Sequence, residues 1–209
     1  MATQTGAWFM PESEELPADV EAFLAAGPPP VYVGFGSMQD PDAAGTSRRV
    51  LDAVRRAGVR VLLSRGWAGL GEVELPSTAL RIGSLPHGKL FPRCAAVVHH
   101  GGAGTTANAT RAGVPQVIIP HEVDQFYWGH RVWTLGLSPP PIPKRRLSAE
   151  ALAAAIRTCI EDAGMRQRAA NFVNGIRTDG LARAIAILEG DESHAQSSLP
   201  EQFGAAASR

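Results

Sequence analysis

The run His99-His-Gly-Gly-Ala-Gly-Thr-Thr106 puts a histidine pair, three glycines and two hydroxyls into eight consecutive residues. It follows the apolar stretch Ala95-Ala-Val-Val98, which reads as a buried strand, and leads into a helical stretch ending near Ala112. A helix that starts at the carboxyl end of a parallel strand offers unpaired N–H groups and the positive end of its dipole. Glycines let an anion approach the backbone, and Thr105 and Thr106 add hydroxyls. His100, Gly102, Ala103, Gly104 and Thr105 are therefore expected to form an anion site. A tight turn whose glycines serve packing alone is the plainer alternative.

Other residues fall at the ends of neighbouring strands. Asp124 and Gln125 follow the strand Gln116-Val-Ile-Ile119 and suit vicinal sugar hydroxyls, because the carboxylate accepts and the amide does both. Asp124 as a plain helix cap is the competing reading. Gly34-Phe-Gly-Ser37 ends the first strand, and Ser37 is placed to assist at an anion. Arg65-Gly-Trp67 and Leu85-Pro-His87 follow two further strands and can line a pocket for a base, with Trp67 either stacking or merely packing. Gly102-Ala-Gly-Thr-Thr-Ala107 also fits the dinucleotide fingerprint GxGxxG/A, with Glu122 twenty residues after Gly102. That fingerprint normally opens a first βαβ unit, whereas here it follows the fourth strand. Asp40-Pro-Asp42 imitates a DxD metal motif but stands at a helix start and reads as a cap. His87, His99, His100 and His121 lack zinc spacing. Lys144-Arg-Arg146 reads as a solvated turn, and Trp128 and Trp133 as core or interface residues.

The elements that position these residues alternate. Strands are expected at 31–37, 60–64, 80–83, 95–100 and 116–119, and helices at 17–26, 43–57, about 103–112, 124–135 and from Ser148 onward. Two more helical stretches carry Phe172, Val173 and Ile176, then Leu181, Ile185 and Leu188. Short buried strands alternating with helices predict an α/β fold: a single Rossmann-like domain with a parallel sheet flanked by helices. Residues 1–30, acidic and closed by Gly27-Pro-Pro-Pro30, read as a lead-in, 31–189 as the domain, and the polar, Ser- and Ala-rich 190–209 as a disordered tail.

The composition narrows the function classes. The 209 residues carry 20 Lys plus Arg and 20 Asp plus Glu, so the formal net charge is zero and a nucleic-acid partner is not expected. No apolar run reaches the about 20 residues of a membrane helix, and the first ten residues do not read as a signal peptide. Cys94 and Cys159 form neither a CxxC pair nor a disulfide framework, so a reducing cytoplasm is the expected location.

The set Gly-Phe-Gly-Ser-Met38, Arg-Gly-Trp67, Ser-Leu-Pro-His87, Leu-Phe-Pro92, His99 through Thr106, Ala-Gly-Val-Pro115 and Val-Asp-Gln125 occurs in one order over about residues 28–188. It resembles the C-terminal, nucleotide-sugar-binding half of GT-B-fold glycosyltransferases, nearest the sterol 3-β-glucosyltransferases and the bacterial enzymes that glycosylate natural products. The resemblance implies diphosphate contacts from Ser37, His100, Gly102, Ala103, Gly104 and Thr105, and sugar contacts from Asp124 and Gln125. It implies base and ribose contacts around Arg65, Trp67, Leu85, His87 and Asn108. Compared with the plant signature, Ser84 replaces a base-stacking Trp, Asn108 a ribose-binding Glu and Trp128 an Asn. The donor implied is a UDP- or dTDP-hexose, glucose by family default, with neither cofactor nor metal. The acceptor, a lipid, sterol or natural product, and the catalytic base belong in such enzymes to an N-terminal domain that this chain lacks. The chain alone is therefore expected not to turn over, and no catalytic residue is assigned to it. Peripheral membrane contact of a full enzyme and self-association are compatible with this reading. An NAD(P)-binding oxidoreductase domain and a non-catalytic nucleotide-sugar-binding partner subunit are the alternatives.

Overall fold

A computed structural model describes residues 3–9, 12–66 and 73–190. Trp67 and the expected tail from 191 lie outside the described residues. Five strands, β1 (Val31–Gly34), β2 (Val61–Ser64), β3 (Ala79–Ile82), β4 (Ala96–His99) and β5 (Gln116–Ile118), form one sheet in the order β3-β2-β1-β4-β5, and all pairs are parallel. Val31 pairs with Val61 on one side and Ala96 on the other, so the strands are in step. Their carboxyl ends therefore share one edge. The chain reverses its direction of travel across the sheet between β1 and β4, and the crevice there is where open α/β sheets bind ligands.

The sheet is covered on both faces, which explains why β1, β2 and β4 are continuous apolar runs rather than alternating ones. Val31, Val33, Val61, Leu63, Val98, Val117 and Ile119 pack with α2 (Ala43–Ala57) and α6 (Ala149–Glu161). Tyr32, Leu62 and Val97 face the other way, against Val20 and Leu24 of α1 (Ala18–Ala25) and Leu90 of the short α3 (His87–Leu90). The remaining helices of this unit are α4 (Ala103–Arg111), α5 (Gln125–Thr134) and α7 (Ala163–Phe172). Asp42, Ser148 and Asp162 each accept the third backbone N–H of the helix they open, at 2.8–3.1 Å.

Residues 12–173 form this unit. Residues 3–9 and 174–190 form a second, with α8 (Gly180–Leu188) and the pair Arg177–Asp179 at 3.0 Å. The sequence predicted a single helical stretch through Phe172, Val173 and Ile176. Instead α7 stops at Phe172, and Val173–Gly175 is a 3₁₀ turn. The pair Asn174-Gly175 accounts for this, since both residues favour turns over helix interior. The segment 87–93, read only as a motif, winds into α3 and a 3₁₀ turn. No described helix is long and apolar enough to cross a membrane.

Candidate functional site at the strand crossover

The expected anion loop sits at the crossover. β4 ends at His99, the chain turns through Gly101 at φ +92°, and α4 opens on Gly102 with no side-chain cap. The first intrahelical bond found is Thr106 N–H to the Gly102 carbonyl, at 2.9 Å. The N–H groups of Ala103, Gly104 and Thr105 therefore have no helical carbonyl to meet. Gly104 faces open space: apart from its chain neighbours and its own helix backbone, nothing lies within 4 Å of where a Cβ would stand. His100 lies across the mouth. Its Nε2 would clash with a Cβ on Gly102, and its Cε1 comes within 3.1 Å of a Cβ built on Gly36. His100 Nδ1 is buried without a hydrogen-bond partner. Burial lowers the His100 pKa and the nearby His121 lowers it further, while Asp124 pulls the other way.

The β1 exit closes the other wall. Gly36, at φ +59°, carries the chain past His100, and Ser37 beside it is exposed. The Gly36 carbonyl lies 2.5 Å from where a Gly66 Cβ would be, so the exits of β1 and β2 pack backbone on backbone. Arg65, on that second exit, is exposed and donates its N–H to the Ile82 carbonyl at 3.0 Å.

The β5 exit supplies the third wall. Val123 has φ +47°, a strained value for a β-branched residue, directly before the expected sugar-binding pair. The Asp124 carboxylate caps nothing; it accepts the Trp128 indole N–H at 3.1 Å and is otherwise exposed. Gln125 is only 5% exposed. Its carbonyl oxygen takes the N–H groups of His121 and Glu122 at 2.8 and 3.2 Å, and its amide nitrogen faces Met38 Sδ at 3.2 Å. Gln125 thus ties the β5 exit to the β1 exit.

The residues expected around a base have these surroundings. The His87 ring stacks on Phe91 at 4.3 Å and meets Tyr32 edge-on at 5.9 Å, and burial lowers its pKa. Leu85 packs against the same apolar group. Asn108 donates to the Gly104 carbonyl at 3.0 Å and accepts from Arg111 at 3.1 Å.

Two sequence readings need correcting. Asp42 caps α2, but Asp40 does not: it accepts Lys144 Nζ at 2.5 Å, and Nζ also donates to Thr46 at 2.6 Å. Lys144 is accordingly not a solvated turn residue, since its side chain is 23% exposed and that of Asp40 only 3%. Burial alone would raise the Asp40 pKa, but the hydrogen bonds from Lys144 and Thr46 outweigh it and hold it below the usual carboxylate range. Sequence reasoning also missed the partners of His99. Gln116 is a lone amide in the apolar run 114–119, and that oddity was the available signal. Among the described residues no three His, Cys, Asp or Glu side chains gather as metal ligands.

This arrangement can hold an anion at the α4 start and hydroxyls at the β5 exit. Residues 48–197 match the family described as "Erythromycin biosynthesis protein CIII-like, C-terminal domain". The vancomycin aglycone glucosyltransferase of Amycolatopsis orientalis is 45% identical over 190 residues, which are 90% of this chain and 45% of that protein. A sterol 3-beta-glucosyltransferase of Arabidopsis thaliana is 45% identical over 141 residues, 66% of this chain and 23% of its own length. The crystal structure of the glycotransferase of kitacinnamycin superposes with a TM-score of 0.72 at 21% identity, covering 90% of this chain and 49% of that one. The chain thus spans less than half the length of each. On the family match and the shared fold, the chain belongs to the erythromycin biosynthesis protein CIII-like C-terminal domains, the C-terminal half of GT-B glycosyltransferases.

Proposed function

We propose that this chain binds the donor of an inverting glycosyltransferase, a UDP- or dTDP-hexose such as glucose. The observation that carries the reading is the uncapped start of α4, with Gly104 open to solvent and His100 across its mouth, at the crossover of the sheet. A diphosphate there would meet the N–H groups of Ala103, Gly104 and Thr105, the positive end of the helix dipole, the His100 imidazole and the Ser37 hydroxyl. The exposed Asp124 carboxylate would accept from sugar hydroxyls. Gln125 would act mainly by holding the loop that carries Asp124.

In the reaction, an acceptor hydroxyl forms a bond to the anomeric carbon as the bond from that carbon to the diphosphate oxygen breaks. The electron pair leaves with the nucleoside diphosphate, and the hydroxyl proton goes to a base on the other half of the enzyme. Charge grows on the leaving diphosphate in the transition state, where preorganised donors act most strongly. The chain spans 45% of the vancomycin aglycone glucosyltransferase, and within that span the residues described would account for donor binding.

Calorimetric titration of the 209-residue chain with UDP, dTDP and NADH tests the reading. UDP or dTDP should bind and NADH should not. Replacing His100 with Ala should weaken nucleotide binding about tenfold or more, the loss of one charge-assisted hydrogen bond of about 1.5–3 kcal/mol. Unchanged affinity in His100→Ala, or binding of NADH alone, would overturn it.

A further inference from the structure

His99 is buried behind the loop proposed to meet the donor, and one of its ring nitrogens holds that loop while the other is held by β5. The ring is fully buried at the end of β4. Its Nδ1 accepts the Gly101 N–H at 3.1 Å, and its Nε2 lies 2.9 Å from Gln116 Oε1. Gln116 Nε2 donates to Thr110 Oγ1 at 2.9 Å, and that hydroxyl donates to the Thr106 carbonyl at 2.7 Å. One arrangement of protons satisfies all four contacts. A carbonyl oxygen only accepts, so Nε2 must carry the hydrogen, which leaves the Nδ1 lone pair for Gly101. Burial pushes the His99 pKa down to about 3, so the ring stays neutral and keeps this tautomer.

The relay therefore runs from the middle of α4, through β5 and β4, to the turn immediately before the α4 start. Shape fixes that turn as well: a Cβ on Gly101 would stand 2.8 Å from Ile118 Cγ2 and 3.0 Å from the Gln125 carbonyl. Gly101 can neither take a side chain nor relax outward without breaking its bond to His99. The direction in which the Ala103, Gly104 and Thr105 N–H groups point follows from it.

We propose that His99, backed by Gln116 and Thr110, is a positioning residue for the donor site: it pins the Gly101 turn and so aims the α4 N–H groups and the His100 ring. The proposal rests on the donor-binding reading above.

Two variants separate the two ring nitrogens. In His99→Asn the amide oxygen falls near the place of Nδ1, so Gly101 keeps its acceptor while the link to Gln116 is lost. In His99→Gln the amide nitrogen reaches the place of Nε2, so Gln116 keeps its donor while Gly101 loses its acceptor. Thermal midpoint, amide hydrogen exchange at Gly101 and titration with UDP and dTDP are measured on the full 209-residue chain. Both variants should lose thermal stability. His99→Asn should keep Gly101 protected and bind nucleotide within about threefold of the parent, whereas His99→Gln should exchange Gly101 at least about tenfold faster and bind about tenfold more weakly. Equal affinities in the two variants, or affinity that simply follows the thermal midpoint, would reduce His99 to a packing residue and overturn the positioning role. Failure of the parent chain itself to bind either nucleotide would instead overturn the donor-binding reading, and this proposal with it.

Discussion

His87, His99, His100 and His121 stand at or near the carboxyl edge of the sheet, and burial lowers the pKa of each. The sign of the consequence follows directly. The unfolded chain protonates these rings near their ordinary value of about 6.5, while the folded protein resists. Their contribution to stability is complete above that pH and is lost as the pH falls toward each folded value, about 3 for His99. The loss approaches about 1.4 kcal/mol per pH unit for each ring that stays neutral. Urea unfolding between pH 7.5 and 5 should show a midpoint that falls with pH, and His99→Asn should flatten the fall. A midpoint independent of pH would contradict the burial assigned to these rings. The two thiols behave alike: burial pushes Cys94 and Cys159 up to about 12, so both should resist a thiol reagent at pH 8 until urea unfolds the chain.

At the scale of elements, α4 and the exit loops carry the site. Gly104 is the sharpest probe of α4, because nothing stands where its side chain would be. On stability alone, alanine is the better residue there, by about 0.5–1 kcal/mol. Gly104→Ala should therefore raise the thermal midpoint by a few degrees while weakening UDP or dTDP binding, because the new methyl sits in the path of the phosphate. A rise in stability with affinity intact would show that the anion does not approach that backbone. The β1 exit is tethered by Asp40 to Lys144. Lys144→Met leaves a nearly buried carboxylate without its cation and should cost about 3 kcal/mol near pH 7, measured by urea unfolding. The parent's gain from holding the Asp40 pKa low is lost as the pH falls through it, so the gap between parent and variant should narrow in acid. Much of this level was legible in the sequence. Apolar runs punctuated by glycine marked β1 and β4, and the helix starts at Asp42 and Ser148 were read correctly because capping is local. The tether of Asp40 to Lys144 spans 104 residues and leaves no local trace, so a charge in a basic run reads as a solvated one. The packing of His87 on Phe91 was equally hidden, because nothing local in the sequence says which ring a histidine will stack on. Asp124 was legible as a polar group after β5, but only the structure shows that its side chain spends nothing on capping.

For the whole molecule, zero net charge means that no broad field gathers anions, so affinity for a diphosphate must be built locally. The fold brings the exits of β1, β4 and β5 together where the order of strands reverses, and the proposed diphosphate site lies there. The chain spans 45% of the length of the vancomycin aglycone glucosyltransferase, and donor binding is the part of the proposed reaction that its own residues would carry. The most direct test records backbone amide shifts of the isotopically labelled chain during titration with UDP and dTDP. The account predicts saturable shifts at Ala103, Gly104 and Thr105, with smaller ones at Ser37 and Asp124 and none at Gly58 on the opposite edge. Saturable binding that leaves the α4 amides unmoved would contradict it.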